Sequence, residues 1–431
     1  MTANVALTAN RHSFVKRLGA GAARWISASP MFVLPYPLDR NAFAAVAAHI
    51  LQTNDGLRMQ VNLEEDDITQ VLGSQYDCLR IADFEIDIRA VDHVGELANV
   101  SAYTAMVREE IDVRREGFRL CVFPVEGNSA FGIVIVSHHI LIDAVSVHSI
   151  LHQVRQNYVA FVERNVPAAA TPGGYIDYVN SYYAACISGQ SEVDEWRTVT
   201  PRLRHHLGGV EEYNSASTET GRTYHTFSPQ EAQKLLSQPG INGKKDVVPR
   251  FLSAISYALR EWQYQIPPVL SLVVAGRQGL PSTTKLHSTV GYISDTIPIC
   301  LDNWVSQEES AQDIAEQLDR IRRIGRQFGF SRHLSEDAEI TEEFQAHAHP
   351  FISLNVKIAP FRGLDVLGVR SVPFGWNYNW VGRRAFPISG GLDVDEKGGL
   401  TLAWDYDLDW ARGADVQELL NRCVHNIRTG S

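Results

Sequence analysis

The sequence predicts an α+β fold of two halves, an N-terminal one over 1–170 and a C-terminal one over 171–431. Three observations lead there. The chain has 431 residues, more than the roughly 100–200 that one domain usually holds. Helical stripes of period 3.6 alternate with short apolar strands along its length. Between the halves, Val166-Pro167-Ala168-Ala169-Ala170-Thr171-Pro172-Gly173-Gly174 is a linker signal, because prolines and glycines interrupt any regular element.

Taken in order, the N-terminus reads as a flexible start leading into the first strand. Arg11, Lys16, Arg17 and Arg24 break up any signal-peptide core, and no acidic residue precedes Asp39, a composition like that of a transit peptide. Residues 31–37 read as extended. Asp39 then caps a helix in which Phe43, Val46, Ala47, Ile50 and Leu51 form one apolar face. Asn54-Asp55-Gly56 ends it, and Leu57–Val61 reads as a strand. Strands follow over 117–124 and 130–137, with Glu126-Gly127-Asn128 as the turn. Ile133-Val134-Ile135-Val136 is apolar on both faces and belongs inside a sheet. A helix begins near Asp143, with Ile150, Leu151, Val154, Tyr158 and Val162 on one stripe.

Beyond the linker, Phe251, Ile255, Leu259 and Trp262 mark a helix and Val269–Val274 a buried strand. Ser306 with Glu309 forms a capping box ahead of Ile314, Leu318 and Ile321. Phe351–Ile358 and Leu400–Tyr406 are strands, and a last helix starts near 413.

Composition narrows the function. Hydrophobic residues make up 45 % and charged ones 21 %, which suits a packed globular chain. The net charge of −11, with no basic stripe, argues against a nucleic-acid partner. No apolar run is long enough for a bilayer. The five cysteines are scattered and unpaired in pattern, which points to buried thiols in a reducing, cytoplasmic compartment. A monomer is expected.

Chemistry concentrates at one strand end. Neighbours on a strand face opposite ways, so one of His138 and His139 is held inside and the other projects into a cleft. A neutral imidazole there suits removal of a proton from an amine or hydroxyl. Asp143 can accept a histidine proton or pair with an arginine. A single histidine in an apolar strand is more often a hydrogen-bonded core residue. Two at a strand end, followed by a turn and an aspartate, weaken that reading.

The segment His138-His139-Ile140-Leu141-Ile142-Asp143-Ala144-Val145-Ser146 resembles the HHxxxDGxS signature of the condensation domains of nonribosomal peptide synthetases. Those are related to chloramphenicol acetyltransferase and to plant acyl-CoA-dependent acyltransferases. Other segments follow in the family's order: Leu38-Asp39 through Leu57-Arg58, Tyr175-Ile176-Asp177-Tyr178, Val290-Gly291-Tyr292-Ile293-Ser294-Asp295-Thr296 and Pro350–Asn355. The resemblance runs over about 30–428.

It implies two chloramphenicol-acetyltransferase-like lobes in a V-shaped pseudo-dimer, with a tunnel between them in which donor and acceptor arms meet. His139 would be the catalytic or positioning base. His138 and Asp143 would be structural, with Asp143 paired to Arg58. The implied reaction moves an acyl group from a phosphopantetheine thioester on an acyl or peptidyl carrier protein to an amine or hydroxyl acceptor in natural-product biosynthesis, with no permanently bound cofactor and no metal. The donor would arrive in trans. Ala144 and Ser146 would lie along the tunnel, where Ser146 or the backbone near Ala144 can assist an oxyanion. The aromatic run holding Trp376 and Tyr378 is core, a sheet edge or acceptor-side lining. Two residues depart from the pattern: Ala144 replaces the usual glycine, and Asp295 stands where asparagine is common.

Two rivals keep the fold. Acyl-CoA can replace the carrier protein, with Arg277, Arg370, Arg383 and Arg384 as candidate phosphate partners. An inactive recruitment domain would tend to lose the His-His-Asp set, which is intact here. Gly19-Ala20-Gly21 lacks the strand and third glycine of a dinucleotide turn. His205-His206 and His347-Ala348-His349 lack spaced metal-ligand partners. No G-x-S-x-G elbow is present.

Overall fold

The computed structural model describes residues 4–64, 67–87, 98–167, 173–211, 213, 219–236, 244–262, 264, 266–278, 280, 286–303, 305–346, 349–358, 370–372, 385–394 and 399–429. The chain opens with β1 (Asn4–Val5), α1 (Ala9–Leu18), β2 (Ile26–Ala28), β3 (Met31–Leu34) and α2 (Arg40–Thr53). It continues with β4 (Met59–Glu64), β5 (Asp67–Leu72), β6 (Leu79–Ile81), α3 (Ala98–Glu109), β7 (Phe118–Pro124), β8 (Phe131–His138) and α4 (Ala144–Arg164). Helices α5 (Tyr175–Ile187), α6 (Gln190–Arg197) and α7 (Thr200–Leu207) lead to β9 (Thr220–Phe227), α8 (Pro229–Leu236), α9 (Lys244–Arg260), β10 (Val269–Val274) and β11 (Asp295–Cys300). Last come α10 (Gln307–His333), α11 (Ala338–Gln345), β12 (Ile352–Ile358), β13 (Arg370–Val372), β14 (Ile388–Val394), β15 (Leu400–Asp407) and α12 (Gly413–Thr429).

The strands form two main mixed sheets, ordered β13-β3-β8-β7-β6 and β11-β10-β12-β14-β15-β9, plus a small sheet β1-β5-β4. This is the α+β, chloramphenicol-acetyltransferase-like arrangement. Strand β8 lies inside its sheet, antiparallel to β7 on one side and to β3 and β2 on the other. Every residue of it is buried, which is why it carries no polar alternation. Helices follow their predicted faces. Asp39 caps α2 by accepting from the Asn41 and Ala42 amides, and its five predicted apolar residues are the buried ones. Ser306 caps α10 through the Glu309 amide.

Some expectations change. The N-terminus is no flexible start: α1 buries Phe14, Val15 and Leu18 together with polar Asn10, Arg11 and Ser13. Those buried polar groups interrupt the apolar stripe that sequence periodicity relies on. Arg58 closes a 3₁₀ turn, Asp55–Arg58, and the strand starts one residue later. Val162 is 55 % exposed because the end of α4 runs past the core. Trp262 lies beyond the end of α9 but is buried, and its indole donates to the Asp415 carbonyl at 3.0 Å.

The halves share structure. Strand β13 pairs with β3, so a C-terminal segment extends the N-terminal sheet. The N-terminal core takes in Tyr175, Tyr178, Tyr182, Val290, Ile293 and Phe330. Asp55 accepts from the Tyr175 and Ile176 amides (2.6 and 3.0 Å), capping α5 from the other half. All five cysteines are buried and free. Among the described residues no helix is long and apolar enough to cross a membrane.

Candidate active site

The site forms where β8 stops. The chain leaves the strand at His138, makes a 3₁₀ turn over His139–Leu141, and enters α4 at Asp143. The two histidines thereby take different environments.

His138 is fully buried. Its Nε2 lies 2.7 Å from the Ala22 carbonyl and therefore carries the proton, while Nδ1 accepts from the Ile140 amide at 3.2 Å. Both ring nitrogens are used, and the ring ties the turn to the segment after α1. Burial pushes it down to about 4, so it stays neutral.

His139 is half-buried, in an aromatic frame. Trp25 stacks on its ring at 5.8 Å, with Tyr292 at 5.3 Å and Phe14 edge-on at 6.4 Å. Its amide is fixed by the Trp25 carbonyl at 2.8 Å. Burial pushes this imidazole to about 4 as well. The Asp143 charge and the Ile142 backbone oppose the shift, and Lys357 adds to it. A neutral ring against apolar walls, with partial access, can accept a proton from a nucleophile.

Asp143 does not pair with Arg58. Its partner is Arg277, a buried two-pronged ion pair with Nη1 to Oδ2 at 2.6 Å and Nη2 to Oδ1 at 2.9 Å. Arg58 instead donates to the Gly73 carbonyl at 3.3 Å, because the 3₁₀ turn aims it at the β4–β5 end. Asp143 also caps α4 through the Ser146 amide at 2.8 Å, and it accepts from the Ile293 and Ser294 amides at 3.1 Å each. Burial alone would raise this carboxyl, but Arg277 and the Ser146 bonds outweigh it and hold it below the usual range. Arg277 is thus committed to the clamp and cannot serve as a phosphate ligand.

Ser146 is fully buried, with its hydroxyl 2.8 Å from Asp143 Oδ1 and from the Gly291 carbonyl, and it accepts from the Gly291 amide at 3.0 Å. The third residue of a capped helix points back at its cap, so Ser146 supports the turn and does not line a tunnel. Gly291 must be glycine, since a Cβ there would collide with the Tyr175 ring. Ala144 is exposed at the first helical position without positive φ, so alanine fits its backbone. Trp376, Tyr378, Arg383 and Arg384 lie outside the described residues. His206 is engaged with Asp302 at 2.7 Å. Among the described residues no group of three His, Cys, Asp or Glu side chains is placed to hold a metal.

Sequence reasoning missed Phe14 and Trp25, which wall His139, and assigned Arg277 to a different task. Neither carries a local signal, since Phe14 is the single Phe, Trp or Tyr of α1 and Trp25 lies beyond that helix.

A family model described as "Condensation domain" matches residues 11–353. Among curated proteins, a linear gramicidin synthase protein of Brevibacillus parabrevis is 22 % identical over 369 residues, 82 % of this chain and 5 % of that protein. A plipastatin synthase protein of Bacillus subtilis (strain 168) is 24 % identical over 236 residues, 52 % of this chain and 9 % of that protein. The chain thus spans a small fraction of the length of these relatives. Among solved structures, the epimerization domain from the third module of tyrocidine synthetase B superposes with a TM-score of 0.78 at 15 % identity, covering 99 % of this chain and 96 % of that one. The starter condensation domain of rhizomide synthetase, in complex with C8-CoA and Leu-SNAC, gives 0.69 at 15 % identity, with 99 % and 94 % covered. These likenesses carry the fold, and the family match over most of the chain carries the assignment: the protein belongs to the condensation domain family.

Proposed function

We propose that this chain transfers an acyl group from a carrier-protein phosphopantetheine thioester to an amine or hydroxyl acceptor, with His139 accepting the nucleophile's proton. The observation that carries the reading is the contrast between the two histidines. His138 spends both nitrogens on the backbone, whereas His139 stands half-buried in an aromatic frame at the end of the strand. In the reaction, the acceptor's lone pair attacks the thioester carbonyl and its proton passes to His139. The C–S bond then breaks, and the thiolate takes that proton as it leaves. An imidazole near 4 is a weak base, so most of the rate gain falls to alignment, which supplies about 7–11 kcal/mol in well-oriented systems. Asp143 assists at a distance, its negative charge favouring the imidazolium. No cofactor is required beyond the thioester itself.

The test is product mass after incubation with an acyl-loaded carrier protein and an acceptor pool, with acyl-CoA alongside. The coenzyme A reading is kept because a structural neighbour is described in complex with C8-CoA. It loses support in this chain from the commitment of Arg277 to Asp143. Comparable or faster turnover with the coenzyme A ester would favour it. Carrier binding without turnover would favour a recruitment role.

A further inference from the structure

His139 can take the nucleophile's proton, but the negative charge that gathers on the thioester carbonyl oxygen needs a donor of its own. Ser146, the side chain expected to help there, is occupied: its hydroxyl bonds Asp143 and the Gly291 carbonyl, and its amide also goes to Asp143. The frame of His139 offers another group. Of the three rings that border the imidazole, Phe14, Trp25 and Tyr292, only Tyr292 carries a hydroxyl. Among the described residues that hydroxyl has no hydrogen-bond partner. Tyr292 is half-buried, and its hydroxyl, unlike those of Tyr175 and Tyr182, is not sealed from water.

The loop between β10 and β11 holds this residue from both sides. The Gly291 amide donates to the Ser146 hydroxyl at 3.0 Å, the Tyr292 carbonyl accepts from Asn10 Nδ2 at 3.0 Å, and the Ile293 amide donates to Asp143 Oδ2 at 3.1 Å. Phe14 packs on the Tyr292 ring at 5.6 Å. Asp143, which caps the helix after the His139 turn, thus also anchors the Tyr292 loop, so one carboxylate sets both side chains. A donor fixed in this way needs no reorganisation when charge appears beside it.

Position and protonation both suit the task. The attacking atom must lie about 2.6–3.2 Å from the imidazole nitrogen that takes its proton, and the carbonyl carbon about 3–3.5 Å from that atom. The carbonyl oxygen is therefore brought to the groups that border His139, and the Tyr292 ring borders it at 5.3 Å. Burial pushes the phenol up to about 12, with Arg17 and Arg11 opposing the shift and Asp295 and Asp143 adding to it. It keeps its proton at working pH and acts as a donor, not as a base. We infer that Tyr292 is a second catalytic residue, whose hydroxyl donates a hydrogen bond to the thioester carbonyl oxygen as that oxygen becomes an oxyanion. This rests on the acyl-transfer reading. The nucleophile's lone pair forms the new bond to carbon, and the carbonyl π pair moves onto oxygen. Tyr292 stabilises that charge without giving up its proton. The pair then returns to re-form the carbonyl as the C–S bond breaks and the thiolate leaves.

The experiment compares wild type with Tyr292→Phe, which keeps the ring against His139 and Phe14 and removes the hydroxyl alone. Two donors are used with one acceptor: the acyl-loaded carrier protein and its dithioester counterpart, in which sulfur replaces the carbonyl oxygen and accepts hydrogen bonds only weakly. On the thioester, kcat should fall about 10²–10³-fold, the effect of removing one oxyanion donor, while KM stays within a few-fold. The rate ratio of thioester to dithioester should fall at least about 10-fold, because the hydroxyl favours charge on oxygen. A folded variant at the wild-type rate overturns the inference. So does an equal loss on both donors, or a variant that fails to fold, since either makes the hydroxyl structural. No turnover by wild type with any acyl donor would remove the acyl-transfer reading and this inference with it, whereas wild-type turnover leaves the variant to judge Tyr292 alone.

Discussion

Asp143, at the start of α4 in the N-terminal half, is gripped through both oxygens by Arg277, just after β10 in the C-terminal half. Both side chains are almost wholly buried, so the pair locks the His139 turn to the opposite lobe. Removing one partner leaves an uncompensated buried charge, at a cost of about 3–5 kcal/mol. Arg277→Ala and Asp143→Asn are each expected to lower the melting temperature and the activity. A double-mutant cycle should show coupling above about 1 kcal/mol between Asp143 and Arg277 and near zero between Asp143 and Arg58. The reverse pattern would restore the Arg58 pairing.

Acid sensitivity has contributions of opposite sign, as His138 and Asp295 show. His138 sits near 4 in the folded chain against about 6.5 unfolded. Its contribution is therefore complete above pH 6.5 and is lost as pH falls toward 4, roughly 2 kcal/mol of it by pH 5. Asp295, raised to about 6, is protonated first in the folded chain, so it stabilises as pH falls through 6. Asp295→Asn removes that opposing effect. Urea unfolding between pH 7 and 5 should show a steeper loss in the variant than in wild type, and an equal or shallower slope would contradict the assignment.

Ala144 tests whether the departure from the family's usual glycine matters. Its position is exposed and helical. Ala144→Gly is expected to lower stability by no more than about 0.5–1 kcal/mol, the usual cost of glycine in a helix. It should leave turnover within a few-fold. A gain of tenfold or more would show that the methyl obstructs a substrate.

Much of the fold is legible where local rules act alone. The α2 face, the Ser306 cap and the bounds of β10 can be read because periodicity and capping chemistry are written in adjacent residues. So can the different environments of His138 and His139, although the structure separates them by a 3₁₀ turn after the strand and not by strand alternation. What escapes is long-range. Arg277 meets Asp143 only because the loop after β10 passes under α4, and no local pattern encodes that meeting. Helix α1 escapes because Asn10, Arg11 and Ser13 are buried polar residues, and the partners of Asn10 and Arg11, namely Tyr292, Ser294 and Gln70, come from distant segments. The linker and the β13 pairing show the same limit: a Pro/Gly-rich break marks a change of element, but it does not forbid a later strand from returning to the first sheet.

The central claim is that His139 takes the acceptor's proton during acyl transfer. The direct measurement is the rate of product formation from an acyl-loaded carrier protein and an amine acceptor, for wild type and for His139→Ala shown to be folded by circular dichroism. The account predicts a loss of about 10²–10⁴ in turnover in a variant that stays folded. A folded His139→Ala protein turning over at the wild-type rate would contradict it.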